Sequence, residues 1–168
     1  MHPDERLSPA GDPGRLAIRQ LTASDRPALA FVFRRLGDRS RYQRFLGIKT
    51  SLSSPELDRL TSVDHWHHEA LIACSPTPRT PIGVARYARC EQFDLAELAV
   101  TVADDWQRRG VGRTLLTALR AQALHAGIRR FTATLLSDNH GALALAKEFD
   151  RSAVIGQDTG EAKLMLQL

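Results

Sequence analysis

The residues whose spacing carries the most chemistry lie between Ala96 and Ala118, in the stretch AELAVTVADDWQRRGVGRTLLTA. Gly110 and Gly112 stand at i and i+2, where an apolar, helix-spaced run of Val111, Leu115, Leu119 and Ala123 begins. Such a turn aims its amides into one concavity, and the helix beginning there adds unpaired N–H groups and the positive end of its dipole. That arrangement binds phosphate oxygens. Arg108, Arg109 and Arg113, within and beside the turn, suit a multiply charged anion such as a diphosphate. Before the turn, Leu98, Val100 and Val102 alternate with Ala99 and Thr101 as in a half-buried strand, and Glu97 stands at its start. A bare structural turn would carry the same glycines, and neither GxxxxGK[ST] nor the third glycine of GxGxxG is present.

Residues Gln107, Arg108, Arg109, Gly110, Val111 and Gly112 match the signature Q/RxxGxG/A, and in this the chain resembles the GCN5-related N-acetyltransferases (GNAT). SRYQRFLG, LTSVD, EALIA, IGVARY, AELAVTVADDWQRRGVG and LLSDN follow one another in the order of the branch that contains the bacterial protein lysine acetyltransferases. The resemblance runs from about Leu16 to the C-terminus. It implies an α/β GNAT fold: a mixed central sheet with helices on both faces and splayed strands at the acetyl-CoA site. It implies that main-chain donors from Arg108 to Thr114 hold the pyrophosphate of acetyl-CoA, the co-substrate. Main-chain groups of Val100, Thr101 and Val102 would then serve the pantetheine arm and the oxyanion, which needs donors aimed at it in advance. Asn139 matches an asparagine that contacts that arm, and a plain helix cap would look the same.

A lysine acceptor with pKa near 10.4 has only about one molecule in 2,500 neutral at pH 7, so transfer benefits from a base. The resemblance assigns that role to Glu97, which matches the glutamate of the AExAxxV segment. It also exposes a departure. Many relatives carry a tyrosine where this chain has Ala146, and their following GlyPhe is Asp150 and Arg151. Neither Tyr42 nor Tyr87 can be assigned from sequence as the acid that protonates the departing thiolate. The expectation is direct acetylation of a protein lysine. A small amine or amino acid as acceptor, and a non-catalytic acyl-CoA-binding module, stand as alternatives.

The remaining composition limits the classes. At 168 residues with 43% hydrophobic side chains and no apolar run approaching eighteen, a soluble cytoplasmic domain is expected, with no membrane partner. The first residues lack the pattern of a secretory signal. The formal charge of +4 is concentrated in residues 1–50, which hold ten basic and five acidic side chains. Its densest part, Arg34, Arg35, Arg39, Arg41 and Arg44, reads as a solvated helix face or as an attractor of acidic surfaces and phosphates. No motif or aromatic platform points to nucleic acid. Asp64, His65, His67, His68 and Glu69 form a second cluster, but HWHH matches no established ligand spacing and no metal is expected. Trp66 and Trp106 read as packing anchors.

These residues need a scaffold that the patterning supplies. Residues 1–14, rich in proline and glycine, read as a flexible tail, and residues 15–168 as one acetyltransferase domain. A strand at Leu16–Leu21 precedes a helix capped by Ser24 and ended by Gly37, then a helix from Asp38 through Phe45 and one begun by Ser54 over Glu56–Thr61. Strands are expected at Glu69–Cys74, Ile82–Arg89, Ala96–Val102 and Phe131–Leu136, the long helix separating the last two. A helix over Gly141–Phe149 and strands at Ser152–Ile155 and Lys163–Leu168 around a QDTG turn close the chain. Pairing of the first hairpin puts Cys74 and Cys90 roughly 23 Å apart, beyond a disulfide.

Overall fold

The computed structural model describes residues 15–168, and the tail expected at residues 1–14 lies outside them. Strand β1 (Ala17–Gln20) is followed by helices α1 (Arg26–Arg34), α2 (Asp38–Phe45) and α3 (Ser54–Thr61). Strands β2 (His68–Cys74), β3 (Pro81–Arg89) and β4 (Leu95–Val102) lead into helix α4 (Val111–His125) and strand β5 (Arg130–Leu136). Helix α5 (His140–Phe149) and the hairpin β6 (Val154–Asp158) and β7 (Glu161–Gln167) complete the chain. The seven strands form one sheet in the order β1-β2-β3-β4-β5-β7-β6. All neighbours are antiparallel except β4 and β5, which are parallel and joined through α4.

The expected mixed sheet with helices on both faces is therefore present. Alternation along β3 and β4 decides which helices each face receives. Val84 turns to one face with Ala70 and Ile72, and Leu29 of α1 packs there. Ala85 and Tyr87 turn to the other, into the main core with Leu115 and Leu119 of α4 and Phe131 of β5. Tyr87 and Phe131 meet at 6.0 Å between ring centroids. Cys74 pairs with Pro81 at the far end of the hairpin from Cys90, and both thiols are free.

Two helix starts differ from expectation. Ahead of α1 it is Thr22, not Ser24, that begins the turn: a single 3-10 turn (Ala23–Asp25) intervenes, and Asp25 accepts from the Thr22 amide at 2.8 Å. Arg19 reaches the same carboxylate with both terminal nitrogens, at 2.8 and 2.6 Å. At α3 the cap is Ser53, one residue earlier than expected, because Glu56 returns a bond to the Ser53 amide at 2.9 Å and completes a reciprocal box. The closing strands span Val154–Asp158 and Glu161–Gln167, so their bounds differ from those expected, while the reversal at Thr159 and Gly160 falls within the QDTG segment read as their turn.

Gly83 of β3 is the point at which α4 is pressed against the sheet. A Cβ there would lie 3.0 Å from the Thr101 carbonyl oxygen, 3.1 Å from Leu115 Cδ1 and 3.3 Å from Val111 Cγ1. Substitution Gly83→Val is expected to lift the first turn of α4, lowering stability by about 1–3 kcal/mol in urea denaturation and weakening acetyl-CoA binding in calorimetry. The Arg19 pair holds the Asp25 carboxyl at about 2, below its ordinary 3.8. A depressed carboxylate stabilises the fold above its unfolded value and loses that contribution as pH falls through the folded one. Denaturation between pH 5 and about pH 2 should therefore show a loss of stability that Asp25→Asn removes.

Candidate active site

The sheet comes apart at its only parallel junction. Strands β4 and β5 pair at three positions, Leu95 with Arg130, Ala96 with Phe131 and Glu97 with Thr132, and not beyond. Strand β4 stays with β3 as far as Val102 opposite Gly83, while β5 stays with β7 along its whole length. Each follows its outer neighbour, so residues 98–102 border a gap. The first turn of α4 sits over the mouth of that gap: the Cβ position of Gly112 lies 3.9 Å from Val102 Cγ2 and 3.3 Å from Leu145 Cδ2 of α5.

Ladder parity decides which main-chain groups face the gap. Ala103 donates to the Ile82 carbonyl at 2.8 Å and Cys90 to the Leu95 carbonyl at 2.9 Å, so odd-numbered positions of β4 bond to β3. Val100 and Val102 consequently turn their main-chain groups away from β3 and toward the gap. Thr101 turns its own toward β3. The Val102 carbonyl already accepts from Gln107 Nε2 at 3.1 Å, and the same amide reaches Asp104 Oδ1 at 3.1 Å and Ser40 Oγ at 3.4 Å. The Gln107 side chain is thus a bracket between the end of β4 and α2.

In the turn itself, Arg108 and Gly110 take left-handed backbone conformations, with φ of 58° and 81°. Nothing lies within 4 Å of a Cβ placed on Gly110, so the glycine is required by conformation and the space before it is open. Among the described residues, the amides of residues 108–113 have no backbone acceptor, six in a row. The Thr114 amide, expected to join them, donates to the Gly110 carbonyl at 3.0 Å, and its hydroxyl does the same at 3.0 Å. The three arginines differ: Arg109 stacks over Trp106 at 5.2 Å, Arg113 is ion-paired with Glu148, and Arg108 is exposed. A row of unpaired amides, open space and local positive charge fit a diphosphate.

Asn139 caps α5, its Oδ1 accepting from the Ala142 amide at 3.1 Å, which leaves its amide nitrogen for another partner. Glu97 is exposed, on the face opposite α4 and at the last paired position before the gap. Ala99 and Thr101 follow on the same face. There α2 contributes a residue that the sequence marked only as part of a basic run: Arg44, whose Nε donates to the Thr101 hydroxyl at 2.9 Å. Burial and repulsion from Arg86 bring its pKa down to about 10, with Glu97 acting in the opposite direction, so it remains a cation at neutral pH. Arg86, in register with Ala99, donates to the Leu60 carbonyl at 2.9 Å and is likewise lowered by burial and by Arg59. Arg86 had a sequence signal, a charge inside the otherwise buried strand IGVARY. Arg44 had none that separated it from its neighbours.

The remaining candidates serve other ends. Asp64 accepts from the Trp66, His67 and His68 amides at 3.0, 2.8 and 2.8 Å, and from these bonds its carboxyl sits well below the usual range despite the opposing effect of burial. His65 pairs with the buried Glu69 at 2.9 Å. The cluster thus builds the entrance to β2. Tyr87 is fully buried with its hydroxyl toward the Trp66 carbonyl and is pushed up to about 12 by burial and Glu69; Tyr42 is exposed on α2. No described helix is long and apolar enough to cross a membrane.

Comparison with known proteins places this geometry. The model of the Acetyltransferase (GNAT) family matches residues 40–150. Acetyltransferase Pat of Mycolicibacterium smegmatis is 33% identical over 115 residues, which cover 68% of this chain and 33% of that protein. Acetyltransferase PA5475 of Pseudomonas aeruginosa is 34% identical over 122 residues, 71% of this chain and 66% of that protein. The chain thus spans a third of the one relative and just under two thirds of the other. The crystal structure of the GNAT domain of S. lividans PAT superposes with a TM-score of 0.81 at 27% identity, over 90% of this chain and 89% of that one. The chain belongs to the Acetyltransferase (GNAT) family. It is an N-acetyltransferase domain with acetyl-CoA as co-substrate, similar to the GNAT domain of S. lividans PAT.

An acidic side chain in the first turn of a helix favours the helix and opposes a bound anion. Gly112→Asp should therefore raise the Kd for acetyl-CoA in calorimetry at least about tenfold, while in thermal denaturation the favourable charge at the helix start is offset by crowding of the new Cβ against Leu145 Cδ2 at 3.3 Å.

Proposed function

We propose that this domain, residues 15–168, acetylates lysine side chains of proteins in the cytoplasm, by direct transfer in a ternary complex with Glu97 as general base. The observation that carries this reading is the position of Glu97. It is exposed at the last rung before β4 and β5 part, so its carboxylate can reach an incoming amine while the adjacent gap takes the thioester arm. The amides of residues 108–113 would hold the diphosphate, flanked by Arg108, Arg109 and Arg113. The main-chain groups of Val100 and the amide of Val102 would bond the arm, and the Val100 amide is the donor best disposed toward a developing oxyanion. The Asn139 amide nitrogen would supply a further contact from α5.

The chemistry asks little more of the chain. Glu97 takes a proton from the ammonium, directly or through a water, and the neutral nitrogen attacks the thioester carbonyl; the oxyanion collapses, the C–S electron pair leaves with the sulfur, and the second nitrogen proton passes to the thiolate or to water. Coenzyme A thiolate is a tolerable leaving group, so the alanine at position 146 is compatible with turnover. An acceptor that is a protein fits the exposure of Glu97, and the names of the relatives agree with transfer of an acyl group.

Glu97→Gln is expected to lower kcat by about 10²–10⁴ while the Kd for acetyl-CoA stays within a factor of two, measured by thiol release and calorimetry. Full activity in that variant would remove Glu97 from the mechanism. Turnover with free amines but with no lysine peptide or protein would replace the acceptor class.

A further inference from the structure

On the face of the sheet that carries Glu97, helices α1, α2 and α3 enclose a cavity against β3 and β4. Leu29, Phe33, Phe45 and Leu60 wall it, and the two cations reaching it are Arg44 and Arg86. We propose that this cavity is a carboxylate subsite of the acceptor: Arg44 and Arg86 together bind a carboxylate that the acceptor carries about 7–13 Å along the strand from the amine deprotonated at Glu97. This deepens the proposed function and rests on Glu97 marking the amine end.

Charge balance is the first argument. Among the described residues, neither guanidinium forms an ion pair; Arg44 spends its Nε on Thr101 and Arg86 one terminal nitrogen on Leu60. Burial first, and then a neighbouring arginine, weigh against each charge, Arg86 acting on Arg44 and Arg59 on Arg86, and Asp58 beside Arg59 is paired with Arg26 at 2.9 Å. Glu97 is the one acidic group acting on Arg44. Two half-buried cations among apolar walls, with donors unspent, are costly until an anion joins them. A planar carboxylate matches a guanidinium in geometry as well as charge.

Spacing is the second argument. Arg86 is in register with Ala99, and Arg44 bonds to Thr101, so the pair lies over positions two to four residues beyond Glu97 on the same face. Two to four residues of strand correspond to about 7–13 Å. The α-amine and carboxylate of one amino acid are too close together to span that interval. An ω-amino acid spans it, as does a lysine beside an acidic residue.

The test uses matched acceptors with the intact chain: a lysine peptide with glutamate adjacent to the acceptor against its glutamine counterpart, and 6-aminohexanoate against hexylamine. Turnover is measured for all four, and equilibrium binding for the two free amines. The carboxylate member of a pair is expected to gain at least about tenfold in kcat/KM, through KM, and 6-aminohexanoate to bind at least about tenfold more tightly than hexylamine. Arg44→Gln and Arg86→Gln should each erase most of that preference with acetyl-CoA affinity retained, and Arg86→Lys should restore part of it. A preference confined to the free amines, with both peptides inert, keeps the subsite and removes the protein-lysine reading. Equal binding of the free amines, or a preference that survives both glutamine substitutions, overturns the subsite even if both peptides are acetylated.

Discussion

A parallel pair of strands that meets at one end and separates at the other is the constraint on which this molecule turns. Strands β4 and β5 are each held to an outer partner more extensively than to one another, so neither can close the gap without abandoning a longer ladder. The first turn of α4, which Gly83 and Gly112 allow to sit close to β4, packs beside the opening. The cost is a short run of main-chain groups without sheet partners. Such groups are tolerated where water or a ligand can reach them, and here they border the gap between β4 and β5.

The same strand separates two electrostatic environments. On the α4 side lies a turn whose six successive amides and exposed arginines suit phosphate, a site that needs no buried charge because the backbone supplies the donors. On the opposite side, Glu97 shares its face of the sheet with helices α1, α2 and α3, and Arg44 and Arg86 reach the cavity between them. Asp104 links the two regions physically: its carboxylate accepts from the Gly37 amide at 2.9 Å, and Gln107 joins it to the end of β4. Arg35, paired with Asp105, adds to the same seam. The helices that would hold an acceptor are thus anchored to the residues that lead into the phosphate turn.

Much of the architecture was legible because local rules were strong where they mattered. Alternation in LAELAVTV, the four-residue helical spacing of Val111, Leu115 and Leu119, and the glycine turn between them are signals carried by neighbouring residues, and the family resemblance rests on them. Errors of one or two residues arose where two adjacent residues could both cap, as with Ser53 and Ser54, and where Asp25 was occupied by Arg19 rather than by the helix. Asn139 kept its double reading: it is a cap by its oxygen, with its nitrogen still available.

What the amino-acid order determined by itself was which residues would form the strand, the turn and the helix, because those depend on periodicity and backbone preference within a few positions. What only the tertiary structure decided was which of them share a surface. Arg44 and Arg86 stand forty-two positions apart in the chain and became neighbours only when α2 folded across β3 and β4. The assignment of the amides of Val100 and Val102 to the gap, and of Thr101 to β3, required the register of a ladder whose two strands are joined by a loop the pattern could not align. Burial and pairing are properties of the assembled sheet, and no local rule contains them.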